Sequence, residues 1–206
     1  MLGRLRVAGL ALVLTALPAV APSVVTGATP ACVDGFDKVA LTKRILPEAV
    51  LAYSAKRAVV AGGASLSAGR RAARVMSFND GKWTTHSTRY LGNDAGYTAL
   101  GGDWADGTWA VGFWQTKTRM SPLVARRAGD GRWPRRSVPS PGYSSVLTDI
   151  DSHKRDAAWA VGYRLDTPGN HRPIAMKWDG KRWTVRNPML KSGERGMLAG
   201  VSNTAK

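Results

Sequence analysis

The side chains able to do chemistry are few and widely spaced. There are three histidines, His86, His153 and His171, and only two of the 14 acidic residues are glutamates, Glu48 and Glu194. Glycoside hydrolysis uses two carboxyl groups held close together, and neither glutamate has an obvious acidic neighbour. A zinc site would show as His-x-x-x-His or Cys-x-x-Cys spacing, and the sequence has neither. Asp103, Asp106, Asp151 and Asp156 fall in turn-like stretches, where a carboxylate more simply shapes the turn by local hydrogen bonds. No cofactor, metal or catalytic residue is expected. Trp104 and Trp114 carry a different chemistry, since an exposed indole can stack on a sugar face or hold a cation.

Charge adds a third kind of chemistry. The formal net charge is +16, from 30 basic and 14 acidic residues. This favours anionic partners such as nucleic acid, acidic polysaccharide, cell-wall polymer or lipid headgroups. Phosphate-contacting and base-stacking positions are not in register anywhere, so nucleic acid is not an expected partner.

These residues must be positioned by elements that the chain writes more than once. Trp109-Ala110-Val111-Gly112-Phe113 returns 50 residues later as Trp159-Ala160-Val161-Gly162-Tyr163. Each copy is followed by a turn and a tryptophan: Asp130-Gly131-Arg132-Trp133, then Asp179-Gly180-Lys181-Arg182-Trp183. An eroded earlier copy has Ala58-Val59-Val60-Ala61-Gly62 and Asp80-Gly81-Lys82-Trp83, so Gly62, Gly112 and Gly162 keep the same 50-residue interval. A fixed period of this length means one supersecondary unit repeated along the chain.

Within a unit, alternation predicts a strand over 146–150. An apolar run predicts a second over 157–163, and further strands are expected over 174–178 and 183–186. Turn residues lie between them at 152–156, 166–170 and Asp179-Gly180. Each unit therefore reads as four short antiparallel strands. The units run over about 48–89, 97–139 and 145–188, with a partial first strand over 197–206. Asp34-Gly35-Phe36 reads as the remnant of an earlier unit within the segment 29–47. The fold expected for 48–206 is an all-β, β-propeller-like array of four-stranded blades, with partial strands at both ends. Its ends could pair with each other, two chains could complete one ring, or the chain could be part of a longer protein.

Residues 1–28 read as a secretory signal peptide: Arg4 and Arg6, an apolar stretch over 7–25, then Thr26-Gly27-Ala28. A secreted protein is the expectation, and Cys32 is then a lone thiol with no internal disulfide partner.

The four-stranded units resemble the blades of kelch and galactose-oxidase-like β-propellers, in the glycines at 112 and 162 and the downstream Trp133 and Trp183. The double glycine of that pattern survives only as Gly62-Gly63. Ser77 to Trp83 is similar to a sialidase-type Asp-box, but with different spacing. The resemblance implies that the links from second to third strand and the links entering the next blade share one edge. That edge would gather Arg70, Arg71, Lys117, Arg119, His171 and Arg172, joined by Arg89, Lys191 and Arg195. A basic rim of this kind suits a polyanion, because guanidinium groups match phosphate and carboxylate geometry. The function expected is a secreted, non-catalytic module binding a protein or glycan through this edge. The alternatives are a fragment of a carbohydrate oxidase or hydrolase, or a nonfunctional remnant.

Overall fold

The structure is a computed structural model that describes residues 45–66, 69–87, 94–105, 107–188, 191 and 194–202. Residues 1–28, expected to be a signal peptide, Cys32, Asp34–Phe36, expected to be a remnant strand, and Arg89 lie outside the described residues. All described residues belong to one compact unit. Among them no helix is long and apolar enough to cross a membrane.

Eleven strands form three antiparallel sheets in chain order. The first holds β1 (Ile45–Ser54), β2 (Arg57–Ser65), β3 (Arg71–Asn79) and β4 (Lys82–Ser87). The second holds β5 (Asp94–Gly101), β6 (Trp109–Gln115) and β7 (Met120–Arg126). The third holds β8 (Ser144–Lys154), β9 (Ala157–Leu165), β10 (His171–Trp178) and β11 (Trp183–Val185). Each is a simple meander, and the first strands of the second and third sheets, β5 and β8, lie against the sheet before them. This is the propeller-like array of blades expected from the repeat. The first blade begins at Ile45, three residues before the expected boundary.

The 50-residue glycine interval has a specific cause. In every blade the first strand carries a bulge, which leaves Glu48, Thr98 and Thr148 without a partner on the second strand. The glycine opposite sits against the bulged backbone. A Cβ on Gly62 would fall 2.0 Å from the Leu46 carbonyl oxygen, on Gly112 2.1 Å from that of Gly96, and on Gly162 2.1 Å from that of Val146. No side chain fits there. The bulge and its glycine recur together because each requires the other.

The Asp-Gly turns also act as read from the sequence. Gly81, Gly131 and Gly180 take φ of 84°, 81° and 89°, a region that glycine enters without steric cost. Asp130 accepts the Arg132 amide at 3.0 Å, and Asp179 accepts those of Lys181 and Arg182 at 2.9 and 2.8 Å. These backbone bonds hold both carboxyls below the usual carboxylate range.

The second blade departs from the four-stranded expectation. After Trp133 there is no fourth strand, only the bridge Ala125–Arg135, with the Arg136 amide donating to the Val124 carbonyl at 2.8 Å. Proline explains the loss. Pro122 in β7 and Pro134 beside it have no N–H to give to a ladder. Pro173 holds the same place in β10, and there β11 is only 3 residues long. Ala73 is the equivalent residue in β3, and β4 runs for 6 residues.

Two apolar layers fill the spaces between blades. Val59, Val75, Tyr97, Leu123 and Trp133 lie between the first and second blades. Trp109, Val111, Leu147, Ile174, Met176, Trp178 and Trp183 lie between the second and third. Trp109 is fully buried, with its ring centroid 5.3 Å from each of Trp178 and Trp183 and the Arg126 guanidinium 4.8 Å away on its ring. The segment Met197–Val201, expected as a partial strand, has no ladder of its own. It is tied to the third blade at single points: Leu198 N to Gly162 O at 3.2 Å and Val201 N to Asp149 Oδ2 at 2.7 Å.

Candidate ligand-binding edge

The links between second and third strands at 116–119 and 166–170 share an edge with Tyr143 and Ser144, which lead into the third blade, and with Gly196 beyond it. Several contacts bring them together. Tyr143 donates its hydroxyl to the Thr118 carbonyl at 3.0 Å, the Met120 amide donates to Ser144 Oγ at 3.1 Å, and the Gly196 amide donates to the His171 carbonyl at 3.1 Å.

Lys117 and Arg119 are exposed on this edge, and Arg70 is exposed in the corresponding link of the first blade. Arg71, His171 and Arg172 stand at the starts of β3 and β10 rather than in the links. Arg71 is already engaged. It meets Asp94 through two bonds of 2.9 Å and Glu48 at 3.3 Å, so it ties the first blade to the second. These carboxylates push its pKa up, the Asp94 hydrogen bond most of all. His171 packs its ring 5.2 Å from that of Tyr163.

Arg172 belongs to a more concentrated arrangement. A cavity of about 290 Å³ is lined by Arg164, Asp166, Arg172 and Lys191, with Pro173, Asn187 and Pro188. Asp166 lies between the two guanidinium groups, 2.5 Å from Arg164 Nη1 and 3.6 Å from Arg172 Nε. Arg172 also donates to the Glu194 carbonyl. Two guanidinium groups therefore share one carboxylate, and Lys191 is a third basic residue lining the cavity. The Arg164 Nε–H is buried and has no hydrogen-bond partner. Arg164 was not among the residues singled out from the sequence. It was legible there: Ala158, Ala160 and Gly162 alternate toward the second blade, and continuing by two places puts Arg164 at the loop edge.

Trp104 and Trp114 occupy other places. Trp104 lies in the β5–β6 link at the opposite edge, with the Arg127 guanidinium 4.0 Å and the Arg57 guanidinium 5.5 Å from its ring and Tyr53 edge-on at 5.6 Å. Its π-face already holds cations. Beside it Tyr53 meets the Thr108 hydroxyl, and burial pushes the phenol up to about 12. Trp114 is near the loop edge but partly buried, with Arg135 5.2 Å from its ring.

A second opening of about 500 Å³ is lined by Thr85, His86, Arg132, Trp133 and Pro134. His86 Nε2 lies 3.1 Å from Ser77 Oγ. Burial lowers the His86 pKa and the Arg127 charge lowers it further. Nucleophilic use of such a pair needs the imidazole oriented as a base by a third group. Here the neighbouring charge is a cation, and Ser77 is buried. Among the described residues no three His, Cys, Asp or Glu side chains converge as metal ligands would.

No family model matches the chain, and no curated protein matches it. Among solved structures it is similar to one described as "YCF48 bound to D1 peptide", at 13% identity and a TM-score of 0.45, over 69% of this chain and 40% of that one.

Proposed function

We propose that this chain is a secreted, non-catalytic module of the kelch-like kind that binds an anionic partner, an acidic glycan or an acidic protein segment, through its loop edge. The observation that supports this most directly is the Arg164–Arg172–Lys191 cavity, where three basic residues line one opening and a single carboxylate, Asp166, is shared by two guanidinium groups. Arginine is suited to the task, because it presents planar, paired donors that match carboxylate, sulfate and phosphate oxygens. Lys117 and Arg119 extend the positive rim toward the second blade.

The test is titration of the purified chain with a polygalacturonate and with uncharged dextran, at two salt concentrations. Binding to the acidic polymer alone, weakening with salt, is the expected result. Lys191→Glu, at an exposed position, should weaken binding about tenfold or more, and Arg172→Gln should do the same. Equal affinity for dextran, or affinity unchanged in both variants, would refute the reading.

A further inference from the structure

The junctions between blades are built alike, and two half-junctions are left over. At the first-strand bulge, Thr98 Oγ1 donates at 2.7 Å to the carbonyl of Leu147 on the next blade's first strand. Thr148 is the bulge residue one blade on, and it donates at 2.6 Å to the carbonyl of Leu198. The segment Met197–Val201 therefore lies where a following blade would place its first strand. It is lightly held: Leu198 and Val201 are only partly buried, and Met197 is 59% exposed.

The other half-junction is on the first blade. Pro47 and Val50 of β1 occupy the register positions of Leu147 and Ile150 in β8, both of which pack on the preceding blade. Leu147 and Ile150 are 0% and 3% exposed, and Tyr97, the β5 equivalent of Pro47, is 0% exposed. Val50 is 63% exposed, and Pro47 is exposed with it. So β1 is a complete first strand whose packing side lies open. The third blade offers the surface that such a strand packs on. Trp159 stands there at the position of the fully buried Trp109 but is only partly buried, with the Lys177 ammonium 5.8 Å from its ring.

We propose that a second copy of this chain docks its β1 on the third blade of the first, displacing the Met197–Val201 segment. Pro47 brings the carbonyl that Thr148 needs. It lacks the N–H that Leu198 gives to Gly162, so the exchange gives up one backbone bond and buries Val50 and Pro47 in its place. The contact is head-to-tail, because the two surfaces differ.

The test is sedimentation equilibrium of the full chain over a wide concentration range. A reversible dimer, or a longer head-to-tail series, is expected. Val50→Asp damages only the β1 surface and Trp159→Arg only the third-blade surface. Each should weaken self-association about 30-fold, the ratio that corresponds to losing one buried apolar side chain. Mixing the two variants should restore a heterodimer, since one intact surface remains on each. Circular dichroism of each variant alone confirms that it folds. Asp149→Ala removes the acceptor that holds the Val201 amide and leaves the Thr148 hydroxyl in place, so it loosens the Met197–Val201 segment and should strengthen association. A chain that stays monomeric at every concentration, or folded variants that associate like the parent, would overturn the proposal. So would a mixture that forms no heterodimer.

Discussion

The Thr98 hydroxyl lies 2.7 Å from the Leu147 carbonyl oxygen, one blade further along the chain. It also lies 3.1 Å from the Val111 carbonyl within its own blade. A residue pushed out of its own ladder by a bulge thus becomes the polar tie between neighbouring sheets. Thr98→Val keeps the shape and leaves a partly buried carbonyl without its donor. A loss of about 1–2 kcal/mol is expected, read as a lower denaturation midpoint with an unchanged slope. Thr148→Val should cost less, because its partner segment is lightly held.

The glycines opposite the bulges should be irreplaceable in a way that turn glycines are not. Gly112→Ala sets a Cβ 2.1 Å from the Gly96 carbonyl oxygen and 2.8 Å from Tyr97 Cα, and Gly162→Ala does the equivalent at Val146 and Leu147. Those neighbours are backbone held in a ladder, so the bulge must open. Each substitution should cost about 3 kcal/mol or more, within the range reserved for severe steric conflict. Gly129 has no atom within 4 Å of an added Cβ, and its φ lies outside the left-handed region. Gly129→Ala should be neutral or stabilise by about 0.5 kcal/mol. Thermal melts of the three variants side by side would separate these effects.

Much of this was legible in the sequence, because the strongest signals are those a blade cannot do without. The apolar second strands, the Asp-Gly turns and the 50-residue glycine interval carry the array with them. The reason for the interval was not legible, since a bulge is a property of two strands in register and Thr98 and Thr148 look like ordinary threonines. The missing fourth strand of the second blade misled the reading, although Pro122 and Pro134 both removed donors where a ladder was expected. The sign of the net charge is plain in the sequence, but which cations stand free is not. Arg71 was one of the candidate ligands and is held by Asp94 and Glu48, while Arg164, hidden at the end of an apolar strand, lines the cavity. Net charge does not reveal which cations are already matched by carboxylates, because ion pairing depends on blade-to-blade contacts distant in sequence.

Trp109 and Trp159 read identically in the sequence and should respond differently to the same substitution. Trp109 is fully buried between Trp178 and Trp183. Trp109→Ala should cost about 3–5 kcal/mol through lost burial and the cavity left behind. Its indole N–H is buried with no partner, so Trp109→Phe removes an unsatisfied donor along with some volume and should cost less than about 1.5 kcal/mol. Trp159→Ala, at a partly buried site, should cost less than Trp109→Ala, about 2 kcal/mol. Denaturant unfolding monitored by circular dichroism checks all three without relying on the fluorescence being altered.

His86 should make stability depend on pH in a defined window. Its ring is half-buried against Ser77 and Trp133, and burial lowers its pKa below the ordinary histidine value, with the Arg127 charge acting the same way. The unfolded chain then binds this proton at a higher pH than the folded chain does. Stability from the neutral ring is fully present above the unfolded-state value of about 6.5. It declines as pH falls from there through the folded value, and levels off below it, where both states are protonated. His86→Gln keeps a polar group that can meet Ser77 and removes the titration. The difference in melting temperature between parent and variant should therefore be constant above about pH 7 and shift in favour of the variant as pH falls below about 6. A difference that stays flat from pH 8 to pH 4 would show that His86 titrates alike in both states.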